Sequence, residues 1–176
     1  FDMKRLGMFV LLLSVLVVAT AACGLVATGE SAAEKATQIA EFDVPAGYTA
    51  DFGMDLGGTV MVGYSKPDTN GHFFLIQAPE SSGMDREQLE KSLRDALASS
   101  AGNEAVEATE VEEVPMTIRG EEVTATVGSA TGSGMGAMRV LTVPFTGNGG
   151  PALLMYQVSE GDWDQAEVDA FIASFR

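Results

Sequence analysis

The chain has 176 residues, 25 of them acidic and 10 basic, for a formal charge of −15. A targeting segment and one domain account for that length, since domains run to about 100–200 residues. So negative a surface repels phosphate backbones, which excludes nucleic acid as a partner, and a single cysteine excludes an intrachain disulfide.

Lys4 and Arg5 precede an apolar run from Leu6 to Val18, and small residues follow at Ala19-Thr20-Ala21-Ala22 before Cys23. A charged start, an apolar middle and a small-residue end form a secretory signal. Thr20-Ala21-Ala22-Cys23 resembles the bacterial lipoprotein box, with Thr20 where that family usually has Leu. The resemblance implies that the Cys23 sulfur takes a diacylglyceryl group and that a peptidase cuts before it, giving a palmitate-bearing N-terminus. Two alternatives stay open. Ala19-Thr20-Ala21 fits an ordinary signal cleavage site, and Leu6 to Val26 falls within the range of about 17–25 residues for an uncut membrane anchor. Residues 1–22 are thus a signal peptide or anchor. Loss of Asp2, Lys4 and Arg5 leaves 24 acidic and 8 basic residues, a charge of −16.

Residues 23–40 are expected to be a tether. Thr28 to Ala40 is rich in Ala, Glu, Ser and Thr, with too few large apolar residues for a core. A flexible segment of that length reaches about 20 Å.

The domain is expected over residues 41–176. Phe42-Asp43-Val44-Pro45-Ala46-Gly47-Tyr48 carries the Pro and Gly of an opening turn. Thr59 to Ser65 and His72 to Ala78 read as strands around a turn at Lys66 to Gly71, with Asn70-Gly71 as the hairpin signal. Met84 to Ser99 reads as a helix. Asp85 and Gln88 make a capping box, and Leu89, Leu93, Ala96 and Leu97 line one face. Ala105 to Val114, Met116 to Ile118, Val123 to Val127, Ala137 to Phe145 and Ala152 to Ser159 read as further strands. A second helix closes the chain, capped by Asp164 and Glu167, with Val168, Phe171, Ile172 and Phe175 as its apolar stripe. Sequential strands between two amphipathic helices predict an α+β fold. It is an antiparallel sheet of six or seven strands with helices on its apolar faces, an α/β/α sandwich.

The opening Phe42 to Tyr48, the mid-chain helix, the Arg119-Gly120 hairpin and the closing Trp163-Asp164 through Phe171-Ile172-Ala173-Ser174-Phe175 together resemble the PsbP-like fold family. That family includes DcrB-type bacterial lipoproteins. The resemblance spans about Glu41 to Arg176 and implies a compact sandwich with an accessory or binding role. It hands over no catalytic residues.

His72 is the only histidine, so a Ser/His/Asp set or a two-His metal site must use it. Its place after Asn70-Gly71 favours a solvent-facing turn residue. With Cys23 at the terminus, a transition-metal site is not expected. Thr126 to Gly136 is glycine-rich but lacks the Lys and following helix of a phosphate loop, and reads as a strand-to-strand loop. Glu104, Glu107, Glu110, Glu112, Glu113, Glu121 and Glu122 offer carboxylates, yet calcium prefers a tight Asp- and Gly-containing loop, and a solvated acidic face is expected. Asp162-Trp163-Asp164 resembles a carboxylate pair, which helix capping by Asp164 explains.

The expected function is that of a non-enzymatic, membrane-anchored lipoprotein on the extracytoplasmic face. It needs no cofactor, and its monomeric domain binds a protein or envelope component. Glu110, Glu112 and Glu113 are the candidate partner-binding residues and Cys23 the lipidation site. A small-ligand or cation carrier is the alternative, with a carboxylate-only hydrolase behind it.

Overall fold

The computed structural model describes residues 26–92, 107–132 and 136–176. The signal segment and Cys23 lie outside them, as does the expected helix beyond residue 92. The fold is α+β, and the described residues form one antiparallel sheet of eight strands. In chain order these are β1 (Val26–Ala27), β2 (Thr49–Leu56), β3 (Thr59–Lys66), β4 (Gly71–Gln77), β5 (Glu107–Ile118), β6 (Glu121–Gly132), β7 (Gly136–Gly147) and β8 (Gly150–Ser159). Across the sheet the order is β1-β2-β3-β4-β8-β7-β6-β5. Among the described residues three α-helices accompany it: α1 (Glu30–Thr37), α2 (described over 86–92) and α3 (Gln165–Ala173). The count exceeds the expected strands and helices because β1 and α1 come from the stretch expected to be a tether and β2 from one assigned to no element, while two of the expected strands merge into β5.

The 28–40 stretch is not a free tether. Ala32 and Ala36 of α1, followed by Ile39 and Ala40, are all 0–1% exposed and belong to the main core. They fall at spacing 0, 4, 7 and 8, one helical face. Alanines suffice because the strand beneath them is equally bare. A Cβ on Gly53 of β2 would stand 3.1 Å from the Ala32 Cα. The helix therefore sits almost on the strand backbone, and no large side chain is needed to fill the gap.

The main core continues through Val62, Tyr64, Phe73, Leu75, Leu154 and Tyr156 on one face of the sheet, closed by Val168, Phe171, Ile172 and Phe175 of α3. Phe171 is the hub, with ring centroids 4.8 Å from Phe73, 5.2 Å from Phe175 and 5.8 Å from Phe42. Residues between these along each strand point the other way. There Ile76 and Leu153 form a second cluster with Ala78, Leu89 of α2 and Met61. The α2 capping box is reciprocal: the Gln88 N–H donates to Asp85 Oδ1 at 2.8 Å and the Asp85 N–H to Gln88 Oε1 at 3.1 Å.

Other expectations are corrected. Of the expected strand Ala105 to Val114, the described part from Glu107 on is continuous with Met116 to Ile118 in one strand, β5, with Pro115 inside it. Proline is tolerated there because β5 is the sheet edge, where a missing N–H leaves no ladder partner wanting. At α3, Asp164 accepts from the Ala166 and Glu167 N–H groups. Glu167 does not reach back to complete the box; its carboxylate meets Lys66 at 3.3 Å instead.

Candidate functional site

The sheet has two edges of very different length. β1 is two residues long and β5 twelve. Among the described residues β5 pairs on one side only, with β6, so its other side presents backbone groups that no described strand pairs. The ladder slips between Thr109 and Glu112, where Glu110 and Val111 form a bulge opposite a single β6 residue. Val111 is 63% exposed. Glu112 and Glu113 are exposed as well, and as successive strand residues they point to opposite faces. Glu110 lies in the same strand, its side chain outside the described residues. The three thus share an edge without converging on one point, which suits a long contact rather than a caged ion. Glu107 also lies in β5 with its side chain undescribed, and Glu104 lies outside the described residues.

Further along, Pro115, Met116 and Thr117 of β5 and Glu122, Val123 and Thr124 of β6 line a shallow groove of about 390 Å³. Glu121, at the start of β6, is engaged elsewhere. It pairs with Arg86 at 2.7 Å and accepts from Thr146 Oγ1 at 3.1 Å. Burial pulls its carboxyl upward, but those two hydrogen bonds and the Arg86 charge outweigh burial and leave it below the usual glutamate value. Among the described residues no three of His, Cys, Asp or Glu gather closely enough to hold a metal ion.

A second polar group lies where β3 turns into β4. The buried Tyr48 hydroxyl donates to the Tyr156 hydroxyl at 3.0 Å, and Lys66 stands 5.4 Å from the Tyr48 ring centre while pairing with Glu167. Burial holds both phenols above the usual tyrosine value; at Tyr48 the hydrogen bond to Tyr156 adds to this. Phenols so raised stay protonated at neutral pH and make poor bases. The pair ties residues 108 apart in the chain, and sequence reading offered no signal for it.

His72 is the second residue of β4, directly across from Ser65 of β3. Ser65 Oγ donates to Asp51 Oδ1 at 2.9 Å. Serine, aspartate and histidine therefore do come together on neighbouring strands, but in the wrong order. A hydrolytic set needs the histidine between the other two, taking the serine proton; here that proton goes to Asp51. The His72 ring is half-buried and stacks on Phe74 at 6.3 Å.

Trp163 packs edge-on against Tyr156 and carries the Arg139 guanidinium over its face at 4.5 Å. It closes the core end rather than offering an open platform. Asp164 is spent on capping α3. The glycine-rich stretch, expected to be a loop, is instead mostly strand: Thr126 to Gly132 lie in β6 and pair with β7, ending at Gly132 opposite Gly136. No known protein family matches this chain, and no curated protein is significantly similar to it.

Proposed function

We propose that this protein is an exported lipoprotein, held at the extracytoplasmic face of a membrane through Cys23, that binds a basic protein or envelope component along β5 and catalyses nothing. The observation that carries the reading is the edge itself, which combines a long run of unpaired backbone groups with outward carboxylates at Glu112 and Glu113. An extended segment can add to such an edge through main-chain hydrogen bonds. The carboxylates select for Lys or Arg on it, with Glu110 beside them in the bulge. On a domain with a net charge near −16, attraction acts over about one Debye length, roughly 8 Å at physiological salt.

The PsbP-like reading of the fold, as an α/β/α sandwich, has its own support. The segments that carry the resemblance meet in space: Phe42 stacks on Phe175 at 5.0 Å, and Asp43 pairs with Arg176 at 3.0 Å. α1 and α3 pack on one sheet face, and Leu89 of α2 packs on the other.

Crosslinking from the native membrane tests the binding reading. A partner should be captured at low salt and progressively lost as salt rises, mainly through slower association. Glu112→Gln with Glu113→Gln should weaken capture while leaving the fold intact; capture indifferent to salt and to both changes would reject the acidic edge as the site. Metabolic labelling with a fatty-acid probe tests the anchor, because Cys23→Ser should abolish the label.

A further inference from the structure

The first described strand starts at Val26, three residues after Cys23. Three residues span at most about 11 Å even when fully extended. Whether the chain is held by a lipid on Cys23 or by an uncut apolar run ending at Val26, the domain starts against the membrane surface. There is no long tether to lift it away, because the residues expected to form one are α1 and its buried continuation.

Two exposed apolar side chains lie at this corner of the domain. Val26 pairs with Met54, so the two share a face, and Leu56, two residues on, shares it too. Val26 is 47% and Leu56 59% exposed, two of the four large apolar residues exposed among those described. The others, Val44 and Val111, lie in the opening turn and in β5. Leu56 sits at the tip of the β2–β3 hairpin, whose two turn residues Gly57 and Gly58 both have positive φ (64° and 91°), as a tight two-residue turn requires. The Gly58 N–H donates to Asp55 Oδ1 at 2.8 Å and fixes the tip. Because β1 is antiparallel to β2, its direction traced back from Val26 leads towards this tip. The end of β1 nearer Cys23 in sequence is therefore the end at which the hairpin tip lies.

We infer that the β2–β3 hairpin tip, with Leu56 and Val26, rests in the interfacial region of the membrane that holds the chain. The inference rests on the proposal that the N-terminal segment stays with the membrane. Given that attachment, the patch meets the bilayer at high effective concentration, so a small apolar area suffices to dock it. Asp55, exposed beside Leu56, opposes anionic headgroups, which points to a zwitterionic surface. Docking also leaves the acidic β5 free, since β5 is the opposite edge, seven strand spacings or up to about 34 Å away.

The test uses the full chain reconstituted in phosphatidylcholine vesicles, with flotation as its first reading. Trp163 is the only tryptophan, so Trp163→Phe combined with Leu56→Trp gives a single reporter at the tip, and Trp163→Phe with Glu112→Trp gives one at the far edge. With brominated lipids, the Leu56→Trp chain should shift to the blue and lose most of its emission, and the Glu112→Trp chain should do neither. Should Trp163→Phe not fold, the same substitutions in the native background serve, read as quenching beyond that of the parent chain. Flotation with equal quenching at both positions, or with none at Leu56→Trp, overturns the docking and leaves the anchor standing. A chain that does not float overturns the anchor and the docking together.

Discussion

Replacing Gly53 by valine separates a docked α1 from a free tether, because the two arrangements give opposite signs. Gly53 is buried in β2 and its φ is not positive, so its backbone accepts a β-branched residue. Were residues 28–40 a free tether, valine would stabilise the strand, by up to about 1 kcal/mol on strand-propensity grounds. With α1 docked, a Cβ at Gly53 stands 3.0 Å from the Lys35 Cδ and 3.1 Å from the Ala32 Cα. The lysine can swing aside; the helix backbone can yield only by moving as a unit. Valine adds two further carbons to that crowding. Overpacking of this kind costs about 1–3 kcal/mol. Urea unfolding of the chain starting at Gly24 is the assay, with a slope of roughly 1–3 kcal/mol/M, so the midpoint should fall by about 1 M. An unchanged or raised midpoint refutes the docked helix.

Phe171→Ala should destabilise the domain by about 3–5 kcal/mol in the same assay, since that ring touches Phe42, Phe73, Tyr156 and Phe175 together. At alkaline pH all three tyrosines should act in one direction. Tyr48, Tyr64 and Tyr156 are each raised above the usual 10.0, with burial as the largest cause. A phenol whose folded value is raised contributes stability that is fully present below pH 10 and lost as pH rises through the folded value. Unfolding free energy should therefore drop steeply above pH 10 while the native state shows little tyrosinate absorbance; early tyrosinate signal from a folded domain would contradict the buried Tyr48–Tyr156 pair.

The contrast between the two ends of the chain shows what sequence could and could not supply. β3, β4, β7, β8 and α3 were legible because large apolar residues recur at a clear period between Gly-, Pro- and Asn-rich turns. The Asp85–Gln88 box was legible because both of its bonds are local. α1 was not, although Ala32, Ala36, Ile39 and Ala40 repeat the spacing of Leu89, Leu93, Ala96 and Leu97. An alanine stripe carries too little apolar surface to announce a core, and only the bare Gly53 across from it makes it one. β2 held a readable alternation of Ala50, Phe52, Met54 and Leu56 with Asp51, Gly53 and Asp55, masked by the low strand propensity of the intervening residues. The acidic edge was legible as composition. That its glutamates straddle two faces of an unpaired strand was not, because it depends on strand order, and the single strand through Pro115 depends on that order too.

The β5 edge admits two uses for its carboxylates, and charge reversal distinguishes them. A twelve-residue open edge invites a second copy of itself. Pro115, the bulge at Glu110 and Val111, and the charges of Glu112 and Glu113 all work against such pairing, because like charges brought opposite one another are destabilising. The same carboxylates attract a basic segment. Glu112→Gln with Glu113→Gln removes both effects, so this variant should lose its partner and also begin to self-associate at high protein concentration. Glu112→Lys with Glu113→Lys keeps copies repelling one another at the edge while repelling the basic partner, so it should lose binding and stay monomeric. Sedimentation of the domain alongside partner capture reads both outcomes. If the lysine variant still captures the partner, the recognition is not electrostatic. If the glutamine variant stays monomeric, the bulge and Pro115 protect the edge without help, and its carboxylates are then set against a partner alone.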